Sequence, residues 1–222
     1  MTFRDRAEAG RALATQLAEY ANQPNVVVLG LPRGGVAVAF EVAKALNAPL
    51  DVFVVRKLGT PGHEELAMGA IASGGIRIIN EEVVNGCGIP AAAIEAIARE
   101  EQVELERREK AFRGDRPPLA VSGKIVILVD DGIATGSTMQ AAVAALRRQG
   151  PARLVVAVPV APPSGCEQFR VLADEVVCLA QPESFFAVGQ WYLDFSQTTD
   201  DQVRDLLERA RRQTPDRAAG TP

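Results

Sequence analysis

An open α/β fold, with a mainly parallel twisted sheet flanked by helices, is what this sequence predicts. Three observations predict it. Short unbroken apolar runs recur along the chain: "NVVVLG" (25–30), "DVFVV" (51–55), "KIVILV" (124–129), "RLVVAVPVA" (153–161) and "EVVCLA" (175–180). Runs of this length and β-branched content read as strands buried on both faces. Longer segments of helical character separate them, and strand–helix–strand order implies parallel pairing. Finally, 222 residues with 47% hydrophobic and 23% charged side chains match an ordinary globular protein with a sizeable core.

The elements follow in order. Residues 3–20 read as an amphipathic helix, with Phe3, Ala7, Leu13, Leu17 and Tyr20 near one face. After the first strand, "LPRGG" turns the chain into a helix at 36–47, which leads to the strand at 51–55. "RKLGTPGHEELAMG" (56–69), rich in Gly and Pro, reads as a mobile loop. Weak strands at 69–72 and 76–79 form a hairpin around Gly74–Gly75. A long charged helix spans 89–114, with Ile94, Ile97, Val103 and Leu105 as its apolar contacts, and Pro117–Pro118 ends that block. The strand at 124–129 feeds a helix at 137–150 closed by Gly150. The last two strands and a helix at 203–212 complete the pattern. One domain is expected over 1–213, with its core near 25–180, a helical insertion near 80–115 and a hood near 181–197. Residues 214–222 read as a disordered tail.

Bulk properties narrow the function. A net charge of −4 argues against a broad basic surface for nucleic acid. Cys87, Cys166 and Cys178 have neither zinc-site spacing nor the even count of a disulfide framework, so reduced thiols are expected. The opening "MTFRDRAEAG" is too polar for a secretory signal, and no apolar run approaches the ~18 residues of a membrane span. The expectation is a cytoplasmic protein with no membrane partner.

Open α/β sheets bind ligands beyond the carboxyl ends of their strands. That rule directs attention to the residues after Gly30, Val55, Val129 and Ala180. "VILVDDGIATGSTM" (126–139) is the most informative stretch. Ala134, Thr135, Gly136, Ser137 and Thr138 form a small, hydroxyl-rich turn where a helix should begin. Free N–H groups and the helix dipole make such a turn a cradle for one phosphate. The spacing and the missing Gly-Lys pair exclude a nucleotide P-loop. Asp130 and Asp131 would repel a phosphate unless they hold something else. Ribose hydroxyls and a magnesium ion both suit them. A capping turn with incidental acids would explain Ser137 but not the acid pair.

This stretch resembles the phosphoribosyl-pyrophosphate signature of type I phosphoribosyltransferases: an apolar run, two acids, then a Thr-Gly-x-Ser/Thr loop. The resemblance implies that Asp130 and Asp131 contact the ribose hydroxyls and that residues 134–138 hold the 5-phosphate. "GLPRGG" (30–35) looks like the family's pyrophosphate loop, which implies that Gly34 and Gly35 admit the backbone close to an anion while Arg33 assists. A dinucleotide-binding turn is the rival there, but the glycine spacing and the basic pair Arg56-Lys57 disfavour it. By the same resemblance, Arg56 and Lys57 would meet the pyrophosphate or its magnesium complex, with solvated surface charge as the plain alternative. The loop from Leu58 to Gly69 falls where the family carries a lid. Its His63, Glu64 or Glu65 would handle a proton on the base, or simply begin a helix.

"ESFFAVGQWYLDF" (183–195) is similar to the hood of the hypoxanthine-guanine members. That likeness implies base stacking by Phe186, backbone reading at Val188 and a metal-side role for Asp194, joining Asp130 and Asp131 as magnesium contacts. Phe185, Trp191 and Tyr192 belong either to that site or to the core. Two departures stand out: Ala134 replaces the aspartate that handles the ring proton in those members, and no lysine follows Lys124. An ordinary oxopurine acceptor is therefore not expected. "FRDRAEAGRALA" and "PGHEELAMGAI" resemble a bacterial branch of the family whose substrate is not implied by its name. Magnesium-dependent transfer of a 5-phosphoribosyl group from its 1-pyrophosphate to a nitrogenous base is the expected activity, with a homodimer left open. A non-catalytic sensor of the sugar pyrophosphate and a ribose-phosphate hydrolase are the alternatives.

Overall fold

The computed structural model describes residues 1–213; the tail expected at 214–222 lies outside the described residues. In chain order the elements are α1 (Arg6–Gln16), β1 (Val26–Gly30), α2 (Gly34–Leu46), β2 (Leu50–Val52), β3 (Val55–Thr60), β4 (His63–Ala72), β5 (Ile76–Ile79), α3 (Glu81–Gly86), α4 (Ala91–Arg113), β6 (Ile125–Val129), α5 (Ser137–Arg148), β7 (Arg153–Val160), α6 (Pro163–Arg170), β8 (Glu175–Ala180) and α7 (Asp200–Gln213).

Five strands form one sheet in the order β2-β1-β6-β7-β8, and every pair in it is parallel. Period-two alternation divides their side chains between two cores. Val26, Val28, Ile127, Val129, Val155 and Ala157 meet Leu13 and Leu17 from the α1 segment and Val38, Val42 and Leu46 from α2. Val27, Leu29, Val126, Leu128, Leu154 and Val156 meet Met139, Val143 and Leu146 from α5, and Cys166 and Phe169 from α6. The fold class is therefore the one expected: a parallel sheet with helices on both faces.

The second strand is shorter than the sequence suggests. It ends at Val52, and Val55 already belongs to a separate antiparallel sheet, β3-β4-β5. The segment 56–69, expected as a loop, is mostly the hairpin of β3 and β4, paired from Val55↔Ala72 to Thr60↔His63. Its Gly and Pro content serves the turn instead of a loop. Pro61–Gly62 makes the reversal, with Gly62 at φ +76°, and register shifts flank Gly59. Leu58 and Met68 are fully buried and fix the face of the hairpin. With Val54, Ile71, Ala98, Leu105, Phe112, Val203 and Leu207 they form a third core, under α4 and α7.

Local chemistry sets several ends. The first helix begins at Arg6, not Phe3, because Asp5 adopts an extended backbone and its side chain accepts a hydrogen bond from Glu8 N at 2.8 Å. Phe3 instead pairs with Tyr192 in an isolated parallel bridge. Asn47 closes α2 in the left-handed conformation. The long helix α4 is anchored at its end by Arg113, which donates to Asp51 Oδ1 at 3.0 Å and to the Val52 carbonyl at 3.0 Å. The two helices α3 and α6, which carry only short apolar stretches, were not expected from the sequence.

Candidate active site

The strand ends converge as the α/β rule demands. β1 gives way to loop 31–33 and the start of α2, β6 to Asp130 and Asp131, and β8 to residues 181–196. The turn after Val129 is built as a cradle. Gly136 sits at φ +75° and serves as the N-cap of α5, with no side chain capping the helix. Among the described residues, no acceptor within the chain takes the N–H groups of residues 134–139. These are the orphan donors of a helix start plus the turn that precedes it. Ala134, Thr135 and Thr138 are exposed, and Thr135 Oγ1 lies 3.2 Å from Ser137 Oγ. A side chain at position 136 would also press on the Phe169 ring, 3.1 Å from an added Cβ.

The two glycines of the loop after β1 have a sharper purpose than the sequence revealed. An added Cβ on Gly35 would come 2.8 Å from Asp130 Cα and 2.8 Å from the Val129 carbonyl oxygen. On Gly34 it would overlap Asp131 Oδ2 and lie 2.8 Å from Arg6 Nε. The anion these glycines admit in the structure is the aspartate pair itself. Loop and acid pair thus form one unit, pressed together at the N-terminus of α2. The Pro32–Arg33 peptide is cis.

The acids differ in their surroundings. Asp131 accepts from Arg6 Nε at 2.7 Å, and the side chains of both are largely buried, 15% and 13% exposed. Asp130 accepts only the Asp131 N–H, at 2.8 Å, and no cationic side chain pairs with it among the described residues. Burial pushes the Asp130 carboxyl well above the usual carboxylate range, and the neighbouring Asp131 charge pushes the same way. Burial raises Asp131 too, but the hydrogen bond from Arg6 pulls it back. A half-buried acid beside a like charge and without a cation of its own can accept a cation or hydroxyl donors from a ligand.

The stretch "FRDRAEAGRALA" contains Arg6, but nothing in it assigns that residue a partner. Besides Asp131, Arg6 donates through Nη1 to the Ser196 carbonyl at 2.7 Å, and its guanidinium lies 4.0 Å from the centroid of the Phe195 ring. Tyr192 is buried and donates its hydroxyl to the Asp131 carbonyl at 2.6 Å. It is a core anchor of the hood, and burial raises its phenol well above the usual range. Only the long-range fold brings residues 6, 131 and 196 together, so no local signal marks their contact.

The remaining expectations divide. Phe186 is 84% exposed, free to meet a ligand, and Val188 packs over Gly132, where an added Cβ would come 2.6 Å from Val188 Cγ1. Lys57 is exposed, without an ion pair among the described residues. Arg33 is held loosely by Asp200 at 3.6 Å. Arg56 and Lys57 lie inside β3, not at the end of a parallel strand as expected, and Arg56 turns to α4, donating to Glu101 Oε2 at 2.6 Å. His63, Glu64 and Glu65 are exposed at the start of β4 and do not begin a helix. Asp194 is exposed, held below the usual carboxylate range by the Ser196 N–H. No group of three His, Cys, Asp or Glu side chains among the described residues is arranged to hold a metal. The trio Asp130, Asp131 and Asp194 is therefore not assembled as a protein-only magnesium site. Nor is any helix among them long and apolar enough to cross a membrane.

A parallel sheet whose strand ends bring together an acid pair, an open helix start and the 181–196 segment defines an α/β protein with a candidate ligand site at those ends. Residues 3–196 match the phosphoribosyl transferase domain, and the chain belongs to that family. It is 53% identical over 210 residues to a Mycobacterium tuberculosis protein named "Putative phosphoribosyl transferase", covering 95% of this chain and 47% of that one. The chain thus spans about half the length of that relative. The crystal structure of TT1426 from Thermus thermophilus shares 44% identity and superimposes with a TM-score of 0.84, covering 94% of this chain and 99% of that one. The bifunctional protein PyrR of Pelotomaculum thermopropionicum is 28% identical over 128 residues, covering 57% of this chain and 65% of that protein.

Proposed function

We propose that this chain transfers a 5-phosphoribosyl group from 5-phosphoribosyl 1-pyrophosphate to a nitrogenous base or similar nucleophile, releasing pyrophosphate. One observation carries the reading: Asp130 and Asp131 directly follow β6, while the unpartnered N–H groups of 134–139 open at the head of the helix that follows. That spacing suits a ribose bearing a 5-phosphate. Asp130 and Asp131 accept hydrogen bonds from the ribose hydroxyls. The backbone of 134–138, with the hydroxyls of Thr135, Ser137 and Thr138, takes the phosphate. As the leaving group departs, positive charge develops on the sugar ring, and the fixed negative charge of the acid pair favours it. Lys57, and Arg33 on leaving its loose pair with Asp200, turn toward the leaving pyrophosphate. Phe186 orients the acceptor by stacking, and Val188 offers its backbone beside it.

Magnesium fits this site as a partner of the donor's phosphates plus one or two carboxylates, and would supply charge neutralisation of the leaving group. Asp130 is the carboxylate that suits it, since Asp131 is held by Arg6. We assign the reaction to the cytoplasm, and it needs neither nucleic acid nor a membrane.

The test is pyrophosphate release from the donor with magnesium and a panel of nitrogenous bases. Release that depends on an acceptor, and is abolished by Asp130→Asn with Asp131→Asn, is the expected result. Donor binding without release under every acceptor would move the reading to a sensor. Ala134 favours that reading, because this exposed position offers no acid for a ring proton. Release without any acceptor would instead mark a hydrolase.

A further inference from the structure

We propose that Arg6 is a positioning residue of the donor site, coupling the ribose-recognising Asp131 to the hood so that donor occupancy is transmitted to the acceptor side. The inference rests on the phosphoribosyl-transfer reading above and deepens it.

The geometry is a closed ring of contacts. Arg6 Nε holds Asp131 Oδ2 at 2.7 Å, and Arg6 Nη1 holds the Ser196 carbonyl at 2.7 Å. The guanidinium face lies 4.0 Å from the Phe195 ring centroid. Phe195 stacks against Tyr192, with ring centroids 5.1 Å apart, and the Tyr192 hydroxyl returns to the Asp131 carbonyl at 2.6 Å. The strand-like segment before Arg6 locks the same hood. Phe3 N donates to the Trp191 carbonyl, and the Leu193 and Asp194 N–H groups donate to the carbonyls of Phe3 and Arg4, all at 2.8 Å. Arg6 also abuts Gly34, so it touches the loop after β1, the acid pair and the hood at once.

One guanidinium performs three tasks, each on a different part of its plane. Its edge pairs with a carboxylate, a second N–H meets a carbonyl, and its face stacks on an aromatic ring. A lysine ammonium carries the charge but lacks both the fork and the face. Ribose hydroxyls arriving at Asp131 compete for the oxygen that Arg6 holds. Any adjustment of that pair pulls on Ser196 and Phe195, and through them on the segment preceding them.

Trp191 is the only tryptophan in the chain and lies in that segment, which makes it a natural reporter. The experiment titrates wild type, Arg6→Lys, Arg6→Ala and Phe195→Ala with 5-phosphoribosyl 1-pyrophosphate and magnesium. Calorimetry follows binding while emission and acrylamide quenching follow Trp191. In wild type, donor binding changes the Trp191 signal. Both Arg6 variants lose that response at saturating donor and bind it roughly 10- to 100-fold more weakly, the range typical when a partner orienting a binding group is lost. Phe195→Ala keeps donor affinity near wild type, since the Arg6–Asp131 pair remains, but loses most of the Trp191 response. Arg6→Lys guards against a folding failure of Arg6→Ala. Wild-type affinity and a full Trp191 response in Arg6→Lys would overturn the proposal, as would a wild-type protein that binds donor with no change at Trp191. No heat from wild type with this donor would overturn the functional reading itself, a separate outcome.

Discussion

Two regions of the site were assembled by different means. The junction of β6 and α5, residues 126–139, is continuous in sequence, and its acid pair and open helix start follow from local rules for strand ends and helix starts. The region formed by Phe3–Arg6 with Trp191–Ser196 joins segments 190 positions apart at Arg6 and Ser196, with no motif announcing their contact. The first supplies the groups that would touch a ligand. The second fixes where one of those groups, Asp131, points. Chemistry can therefore be local in sequence while its orientation is not.

Gly34 touches both regions and Gly35 the first, and substituting them gives the largest expected effects. In Gly35→Ala the new Cβ meets backbone, the Asp130 Cα and the Val129 carbonyl, each at 2.8 Å. Rigid atoms must move, so both donor binding and folding stability should fall, by roughly 1–3 kcal/mol for the overpacking alone. In Gly34→Ala the Cβ displaces the Asp131 carboxylate and its Arg6 partner, which are side-chain ends. Donor binding should vanish while the unfolding temperature stays near that of wild type. If calorimetry found tight donor binding in Gly34→Ala, the claim that this glycine clears space for Asp131 would fall.

Asp130→Asn sharpens the contrast between function and stability. The Asp130 carboxyl has its pKa raised in the folded state, so the native protein binds a proton more readily than the unfolded chain. Such a group contributes most to stability below its unfolded pKa, near 3.8. Its contribution is lost as pH rises from there through the folded value. Replacing it with a neutral amide of the same shape should raise the unfolding temperature at neutral pH. For a chain of this size the gain is about 2–4 °C for each kcal/mol recovered. The advantage should shrink as pH falls toward 4, and the variant should lose turnover throughout. A destabilised variant at neutral pH would show that Asp130 is better compensated than its surroundings indicate.

How much was legible follows the same division. The central strands β1, β6 and β7 were readable because they are buried on both faces and so are almost wholly apolar, as in "VVVLG" and "IVILV". The hairpin of β3 and β4 was not. Its first half carries Arg56 and Lys57, its turn carries Pro61–Gly62, and the exposed His63, Glu64 and Glu65 hide the alternation that Leu58 and Met68 establish. Arg56 looked like a ligand cation because its partner, Glu101, lies 45 positions away on α4. Asp130, Asp131 and the 134–138 turn needed only their neighbours in sequence. Arg6 needed the whole fold.

The smallest effect tests how the cradle itself is made. If the backbone does most of the work, its side chains should matter little. Thr138→Val removes one exposed hydroxyl but leaves the N–H groups of 134–139 and the left-handed Gly136 untouched. A single hydrogen bond to a charged group contributes about 1.5 kcal/mol, so donor affinity should drop by roughly tenfold. The loss should appear in donor binding and not in acceptor dependence, because the hydroxyl lies at the phosphate end. Gly136→Ala, which alters the backbone and presses on Phe169, should cost clearly more than Thr138→Val in the same titration. Equal losses from the two variants would mean that hydroxyls, not the helix start, hold the phosphate.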